Sequence, residues 1–138
     1  MNASQGLVKA YRIEDAAGVL QYVAVVNGAA DGNCKKPAAA NAQGFLGFTL
    51  EAQPNQYKGV AVQKSGIARA TANGSITRGD AVAIATSAGD VKSVQAVVSA
   101  GPGTASTNYV IGSAEESAVN GQTFAVWVNP GVVAIAAS

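Results

Sequence analysis

Short apolar runs interrupted by glycine, asparagine and aspartate dominate the sequence from Leu7 onward. The runs are rich in valine, isoleucine, tyrosine and phenylalanine, which favour strands, and the residues between them favour tight turns. We predict strands near residues 7–13, 19–26, 45–50, 59–63, 67–71, 81–86, 91–98, 109–113, 123–129 and 132–136. Turns are expected at 15–18, 73–74, 78–80, 88–90 and 129–131, because glycine and asparagine tolerate positive φ.

This alternation of short apolar runs and turn residues predicts an all-β protein: a compact β-barrel or β-sandwich-like single domain. An extended N-terminal arm (1–8) precedes the β-rich domain (9–138), and residues 7–26 are interpreted as a hairpin. Short irregular or helical segments are possible at 38–43 and 115–119. Residues 28–43 and 99–108, which are rich in small and polar side chains, are interpreted as exposed loops.

Charge is sparse, and this constrains the partners of the chain. Only 12% of its 138 residues are charged, whereas about a quarter is typical of soluble domains. Other copies of the same chain would explain a surface with so little charge. The net charge is +1 and no basic run exceeds Lys35-Lys36, so we expect no nucleic-acid partner. The sequence starts without a signal-peptide pattern and lacks an apolar run of membrane length, so no membrane partner is expected either.

Residues suited to catalysis are few. The chain has no histidine, which removes histidine-activated nucleophiles and histidine metal sites. Cys34 lies beside Lys35-Lys36 and is either an activated nucleophile or, more simply, an incidental loop thiol. Neither the adjacent carboxylates Glu14-Asp15 nor Glu115-Glu116 have the geometry of a catalytic acid and base. We therefore expect no enzyme activity, no cofactor and no metal.

An internal repeat is visible in the second and fourth quarters of the chain. The segment FLGFTLEAQPN at 45–55 aligns without gaps on VIGSAEESAVN at 110–120, matching Gly47 with Gly112. Each copy leads into a valine-rich strand, then a glycine, then a strand of small residues. A duplicated β unit explains the match, and chance similarity between short segments explains it equally well.

Two further features have both a structural and a functional interpretation. In the strand at 123–129 both alternating sets of side chains are apolar, so we expect it to be covered on both sides. Trp127 is expected in the core, with a position at an interface as the alternative. The tripeptide Arg78-Gly79-Asp80 is an adhesion signal in some extracellular proteins. Here it directly precedes a predicted strand, and a tight turn explains it better; replacing Asp80 should then disturb folding more than attachment.

The order of several short motifs resembles that of the small tailed-phage capsid decoration proteins, also called cement or head-stabilising proteins. The resemblance covers about Lys35 to the C-terminus. In this sequence the motifs are Pro37, Gly47, Gly66-Ile67-Ala68, Gly79-Asp80, Ile111-Gly112-Ser113-Ala114-Glu115-Glu116 and Val126-Trp127-Val128.

The resemblance implies a homotrimer on the outer surface of an icosahedral phage capsid, made in the host cytoplasm. Such a protein stabilises the expanded shell by clamping neighbouring capsomers, and its N-terminal segment contacts the major capsid protein. The arm residues would be Asn2, Ala3, Ser4, Gln5, Gly6, Leu7 and Val8. We assign structural turns to Gly47, Gly66, Gly79, Asp80, Gly112 and Gly131.

An adhesion or glycan-binding module displayed on a virion surface is the alternative function. A glycan-binding site usually presents an exposed aromatic platform. Most of the residues that could form one lie in predicted strands, namely Tyr11, Tyr22, Tyr57, Tyr109 and Trp127.

Overall fold

The structure, a computed structural model, describes residues 6–40, 42–94 and 106–135, with the side chains of 106–108 and 131–135 excepted. The described part is all-β, as predicted, and contains no helix, so the helical segments considered at 38–43 and 115–119 are not found there. Its strands are β1 Val8–Ile13, β2 Ala24–Asn27, β3 Asn33–Lys35, β4 Phe45–Thr49, β5 Gly59–Gln63, β6 Gly66–Thr71, β7 Ala81–Ile84, β8 Val91–Val94, β9 Ser106–Ala114 and β10 Thr123–Ile135.

The first half of the chain, residues 8–63, forms a closed five-stranded barrel in the order β1-β3-β2-β4-β5. Strand β1 pairs antiparallel with β5, from Val8↔Gln63 to Arg12↔Gly59, and parallel with β3. The hairpin predicted over residues 7–26 is therefore wrong, because β1 does not pair with β2. Barrel closure satisfies both edges of β1, which a local hairpin would leave half exposed.

The second half, residues 66–135, repeats this arrangement. Its order is β6-β10-β9-β7-β8. Replacing β1 to β5 of the barrel by β6 to β10 gives the ring β6-β8-β7-β9-β10. The second half has this ring, read in the opposite direction and opened between β6 and β8. An isolated parallel bridge between Ala72 and Val91 connects the ends of β6 and β8, where the barrel has its parallel β1–β3 pair. The duplicated unit suggested by the sequence is thus present in the topology.

Backbone hydrogen bonds repeat at matching positions of the two halves. In the first half the amides of Val19 and Gln53 each donate to the other's carbonyl oxygen, at 2.8 and 2.9 Å. In the second half Ile76 and Ala118 do the same, both at 2.9 Å. These reciprocal pairs hold the segment before the second strand of each unit against the segment after its fourth, so the irregular parts are duplicated as well.

Two cores form, and the first half contributes to both. The barrel interior contains Tyr11, Ile13, Val19, Val23, Val25, Cys34, Val60 and Val62. The second core lies in the second half, but Ala24, Val26 and Phe48 enter it from the outside of the barrel. Strand β2 is therefore buried on both faces, which is why it carries no polar side chain before Asn27.

Strand β10 differs from its sequence prediction in two ways. Val126 and Val128 are buried, but Trp127 is 50% exposed, so the expectation of a strand covered on both sides, with Trp127 in the core, is wrong. The turn predicted at 129–131 is instead an irregularity within one continuous strand, and Gly131 pairs with Val110 beyond it. A bulge absorbs the residues that the sequence pattern assigned to a turn.

Gly47 and Gly112 lie within β4 and β9 and not in turns. A Cβ atom at Gly47 would overlap the carbonyl oxygen of Gln63, and one at Gly112 would overlap that of Trp127. The repeated glycine is therefore a requirement of close strand approach. By contrast Gly66 and Gly79, with φ of 79° and 94°, begin or precede strands in the left-handed region.

Candidate functional site

Leu7 and Val8, the last two residues of the predicted N-terminal arm, belong to the barrel in the structure. Val8 is the first residue of β1. The Leu7 amide donates to Ser65 Oγ at 2.8 Å, and the Lys64 amide donates to the Leu7 carbonyl at 2.7 Å. Leu7 and Val8 therefore belong to one end of the barrel, although both side chains are exposed. A Cβ on Gly6 would overlap the Ser65 carbonyl, so Gly6 also packs closely, and Asn2, Ala3, Ser4 and Gln5 lie outside the described residues.

An exposed apolar groove lies beside this point, on the outer face of the second half. Gly66, Ile67, Glu115 and Trp127 line it, and Ile67 pairs with Trp127 across β6 and β10. A Cβ on Gly6 would come within 2.7 Å of the Gly66 amide nitrogen. The start of the described chain therefore adjoins the groove. A half-exposed tryptophan in such a groove is typical of protein interfaces.

An ion pair lies on the same outer face. Arg69 Nη1 is 3.2 Å from Glu116 Oε1, and both side chains are about half exposed. The same Glu116 oxygen accepts from the Ala125 amide at 2.9 Å, as Glu51 does from the Ala61 amide at 3.2 Å in the first half. The structural role of this glutamate is therefore repeated in both halves. As an exposed ion pair, the contact with Arg69 contributes little to stability.

Two lysines converge at one open end of the barrel. The ammonium nitrogens of Lys9 and Lys64 lie 5.2 and 5.4 Å from the centroid of the Tyr11 ring. Lys64 Nζ also donates to Tyr11 Oη at 2.7 Å. The Tyr11 ring belongs to the barrel core, so a rigid residue positions both cations. They border a cleft of about 550 Å³ whose other walls are residues 27–33 and Leu46.

Glu14 fixes the loop that forms one wall of this cleft. Its carboxylate accepts from the Ala29 amide at 2.9 Å, from Asn33 Nδ2 at 2.9 Å and from the Ala30 amide at 3.3 Å. The hydrogen bond from Ala29, followed by that from Asn33, lowers the pKa of Glu14. Because its oxygens are already occupied by these donors, Glu14 holds the loop in place.

The carboxylate of the Arg78-Gly79-Asp80 tripeptide is engaged within the molecule. Asp80 Oδ2 accepts from the Thr77 amide at 2.9 Å and from Ser93 Oγ at 2.7 Å. The side chain therefore fixes the turn before β7 and ties it to β8. This agrees with the interpretation of the tripeptide as a structural turn.

Cys34 lies in β3, a strand that the sequence interpretation missed inside the presumed loop 28–43. It is fully buried, so the prediction of an incidental loop thiol is wrong. Burial raises its pKa to about 11, and the charges of Asp15 and Glu14 act in the same direction. The neighbouring lysines do not activate the thiol, which stays protonated at neutral pH.

Two other types of feature are absent from the described ranges. No group of three or more histidine, cysteine, aspartate or glutamate side chains there has an arrangement that could hold a metal ion. Nor does that part of the chain contain a helix long and apolar enough to cross a membrane. Two of the exposed features of this part of the chain, the Trp127 groove and the cleft bordered by Lys9 and Lys64, lie beside the start of β1.

Comparisons with known proteins identify a fold relative. No protein-family model matches the sequence, and no curated protein matches it. Among solved structures, the N base of the head fiber gp8.5 of bacteriophage phi29 has a similar fold, with a TM-score of 0.61 at 17% sequence identity. The match covers 89% of this chain and 93% of the phi29 chain. It therefore includes both halves of the molecule.

Proposed function

We propose that this chain is a structural protein of a tailed-phage virion that binds the exterior of the icosahedral capsid as a homotrimer. There it stabilises the expanded shell by clamping neighbouring capsomers. The observation that carries the proposal is the fold shared with the base of the phi29 head fiber over nearly the whole of both chains. The motif series that resembles the capsid decoration proteins supports it independently.

The surface of the molecule is compatible with a role in assembly. Charged residues are sparse, and large apolar side chains are exposed at Leu7, Val8, Leu20, Tyr57, Val119 and Trp127. In a trimer on a shell, such side chains would be covered by other copies or by the major capsid protein. The proposed role involves no catalysis, cofactor, nucleic acid or membrane.

In the proposed mechanism each protomer contributes one weak contact with the shell through its N-terminal arm. Because Leu7 and Val8 belong to the barrel, the proposed arm consists of residues 1–5, continued by Gly6. Main-chain pairing of an arm with an edge of the capsid protein needs no particular side chains. Three such contacts in one trimer would raise avidity about 10²- to 10⁴-fold over a single contact.

Co-sedimentation with expanded, undecorated shells tests the proposal. The full chain should pellet with the shells. A chain lacking residues 1–5 should lose most of this binding while keeping its trimeric state and its melting temperature. If the full chain stays in the supernatant at every concentration, the capsid role is wrong. If the truncated chain binds as well as the full one, the arm is not the contact.

A further inference from the structure

We propose that the cleft bordered by Lys9 and Lys64 binds an acidic side chain of a protein partner. Under the proposed function, on which this identification of the partner rests, that side chain belongs to the major capsid protein. The cleft is at the open end of the barrel, and its polar lining distinguishes it from the apolar Trp127 groove.

The two lysines converge on one side chain, Tyr11. Lys9 lies in β1 and Lys64 follows β5, and the antiparallel pairing of these strands brings both ammonium groups to the same tyrosine ring. Two ammonium groups that border the same cleft repel each other, and an anion bound in that cleft reduces the cost. Because Tyr11 Oη accepts from Lys64, its own hydroxyl hydrogen is available to a ligand oxygen.

Neither lysine has an acidic partner among the residues that the structure describes. Within the described residues no carboxylate oxygen lies within 4.0 Å of either ammonium. Asp31 is in the cleft wall but makes no such contact. The Glu14 carboxylate already accepts hydrogen bonds from the Ala29 amide and from Asn33 Nδ2.

The composition of the cleft favours a carboxylate over a phosphate backbone. It contains lysines and the amide side chains of Asn27 and Asn33, without an arginine fork. The whole chain carries a net charge of only +1, which is too little for a nucleic-acid track. Lysine ammonium groups are point charges, which a single carboxylate can satisfy without bidentate geometry.

The position of the cleft connects it to the arm. The amide of Lys64 donates to the carbonyl of Leu7, directly after the arm. A capsid protein that holds residues 1–5 would therefore present its surface to the same end of the barrel. The contact would then have two points, one made by the main chain of the arm and one made by charge.

Titration with a hexaglutamate peptide, followed by amide chemical shifts in two-dimensional NMR, tests the site without any capsid. The largest shifts should occur at Lys9, Tyr11, Lys64 and residues 28–32. The double substitution K9M/K64M should weaken binding about tenfold or more, since two charge-assisted contacts are lost. The control K58M/K92M carries the same change in net charge and should bind like the wild type.

Shifts spread evenly over the surface, or equal losses in the two double variants, would overturn the site. If K9M/K64M does not fold, the single substitution K9M leaves the Lys64–Tyr11 bond intact and should still weaken binding; unchanged binding by K9M would also overturn it.

Shell co-sedimentation then separates the site from the function. Wild-type binding that K9M/K64M weakens supports both proposals. Peptide binding with no loss of shell binding in K9M/K64M would contradict the assignment of the capsid protein as the partner. Peptide binding by a wild-type chain that never binds shells would contradict the proposed function and leave the anion site standing.

Discussion

The two halves of this protein have the same strand order but close in different ways. The first half closes by continuous pairing, with β1 bonded to both β3 and β5. In the second half a single bridge, Ala72–Val91, connects the corresponding strands. The open copy completes its core with Ala24, Val26 and Phe48 from the outside of the closed copy. The first unit is therefore a barrel with its own closed core, and the second unit packs against the outside of that barrel.

The same comparison explains which face is left for partners. In the first half, Phe48 pairs with Gln63 across β4 and β5, and both are buried. The matching pair in the second half is Ser113 and Trp127, of which Trp127 is half exposed. The outer face of the barrel that carries Phe48 packs against the second half, whereas the matching face of the second half, which carries Trp127, is exposed.

The largest expected effect tests this difference in burial. Phe48→Ala should lower the free energy of unfolding by about 3 to 5 kcal/mol, because it leaves a cavity between the two halves. Ser113→Ala, at the matching position, should change it by no more than about 0.5 kcal/mol. Urea denaturation of both variants measures the two values. Similar losses would show that the two faces are buried alike.

The second prediction compares the repeated glycines. Gly47→Ala should cost about 2 to 3 kcal/mol, because the new methyl group overlaps the Gln63 carbonyl in a closed barrel. Gly112→Ala should cost about 1 to 2 kcal/mol, since an open sheet relaxes more easily. Thermal or urea unfolding checks the order. A smaller cost at Gly47 than at Gly112 would contradict the difference in closure.

The third prediction uses the position where the barrel has Cys34 and the second half has Val91, both fully buried. The folded thiol has a pKa of about 11 against an ordinary value of 9.0. As the pH rises from about 9 to 11, the unfolded thiol ionises while the folded one stays neutral. Ionisation stabilises the unfolded state alone, so the free energy of unfolding falls by about 2 to 3 kcal/mol.

Cys34→Val removes this group and makes the two halves alike. The difference in unfolding free energy between the wild type and this variant should change by that amount between pH 8 and 11, because the other titrating groups are common to both chains. A difference that does not change with pH would show that the thiol is not held in an apolar environment.

The sequence predicted the class of the fold because alternation and turn residues are local signals. It could not predict the pairing of β1 with β5, whose residues lie far apart in the chain. It missed β3 because Asn33, Cys34 and Lys35 offer one apolar residue between two polar ones, which is too short a pattern to indicate a strand. The repeat was visible because β4 and β9 share a glycine that close strand approach requires.

The candidate site was less predictable than the fold. An alternating apolar strand has the same pattern whether one face is covered or bare, so Trp127 gave no sign of its exposure. Lys9 and Lys64 are distant in sequence and meet only through the β1–β5 pairing. The predicted arm extended too far along the chain, because nothing in the sequence indicates that Leu7 bonds to Lys64 and Ser65.

Cryo-electron microscopy of expanded shells incubated with the purified chain tests the proposed capsid role most directly. The account predicts added trimeric density on the outer surface at three-fold and local three-fold positions, with the barrel end that carries Lys9 and Lys64 towards the shell. Shells that remain bare at saturating protein, or density without three-fold symmetry, would contradict it.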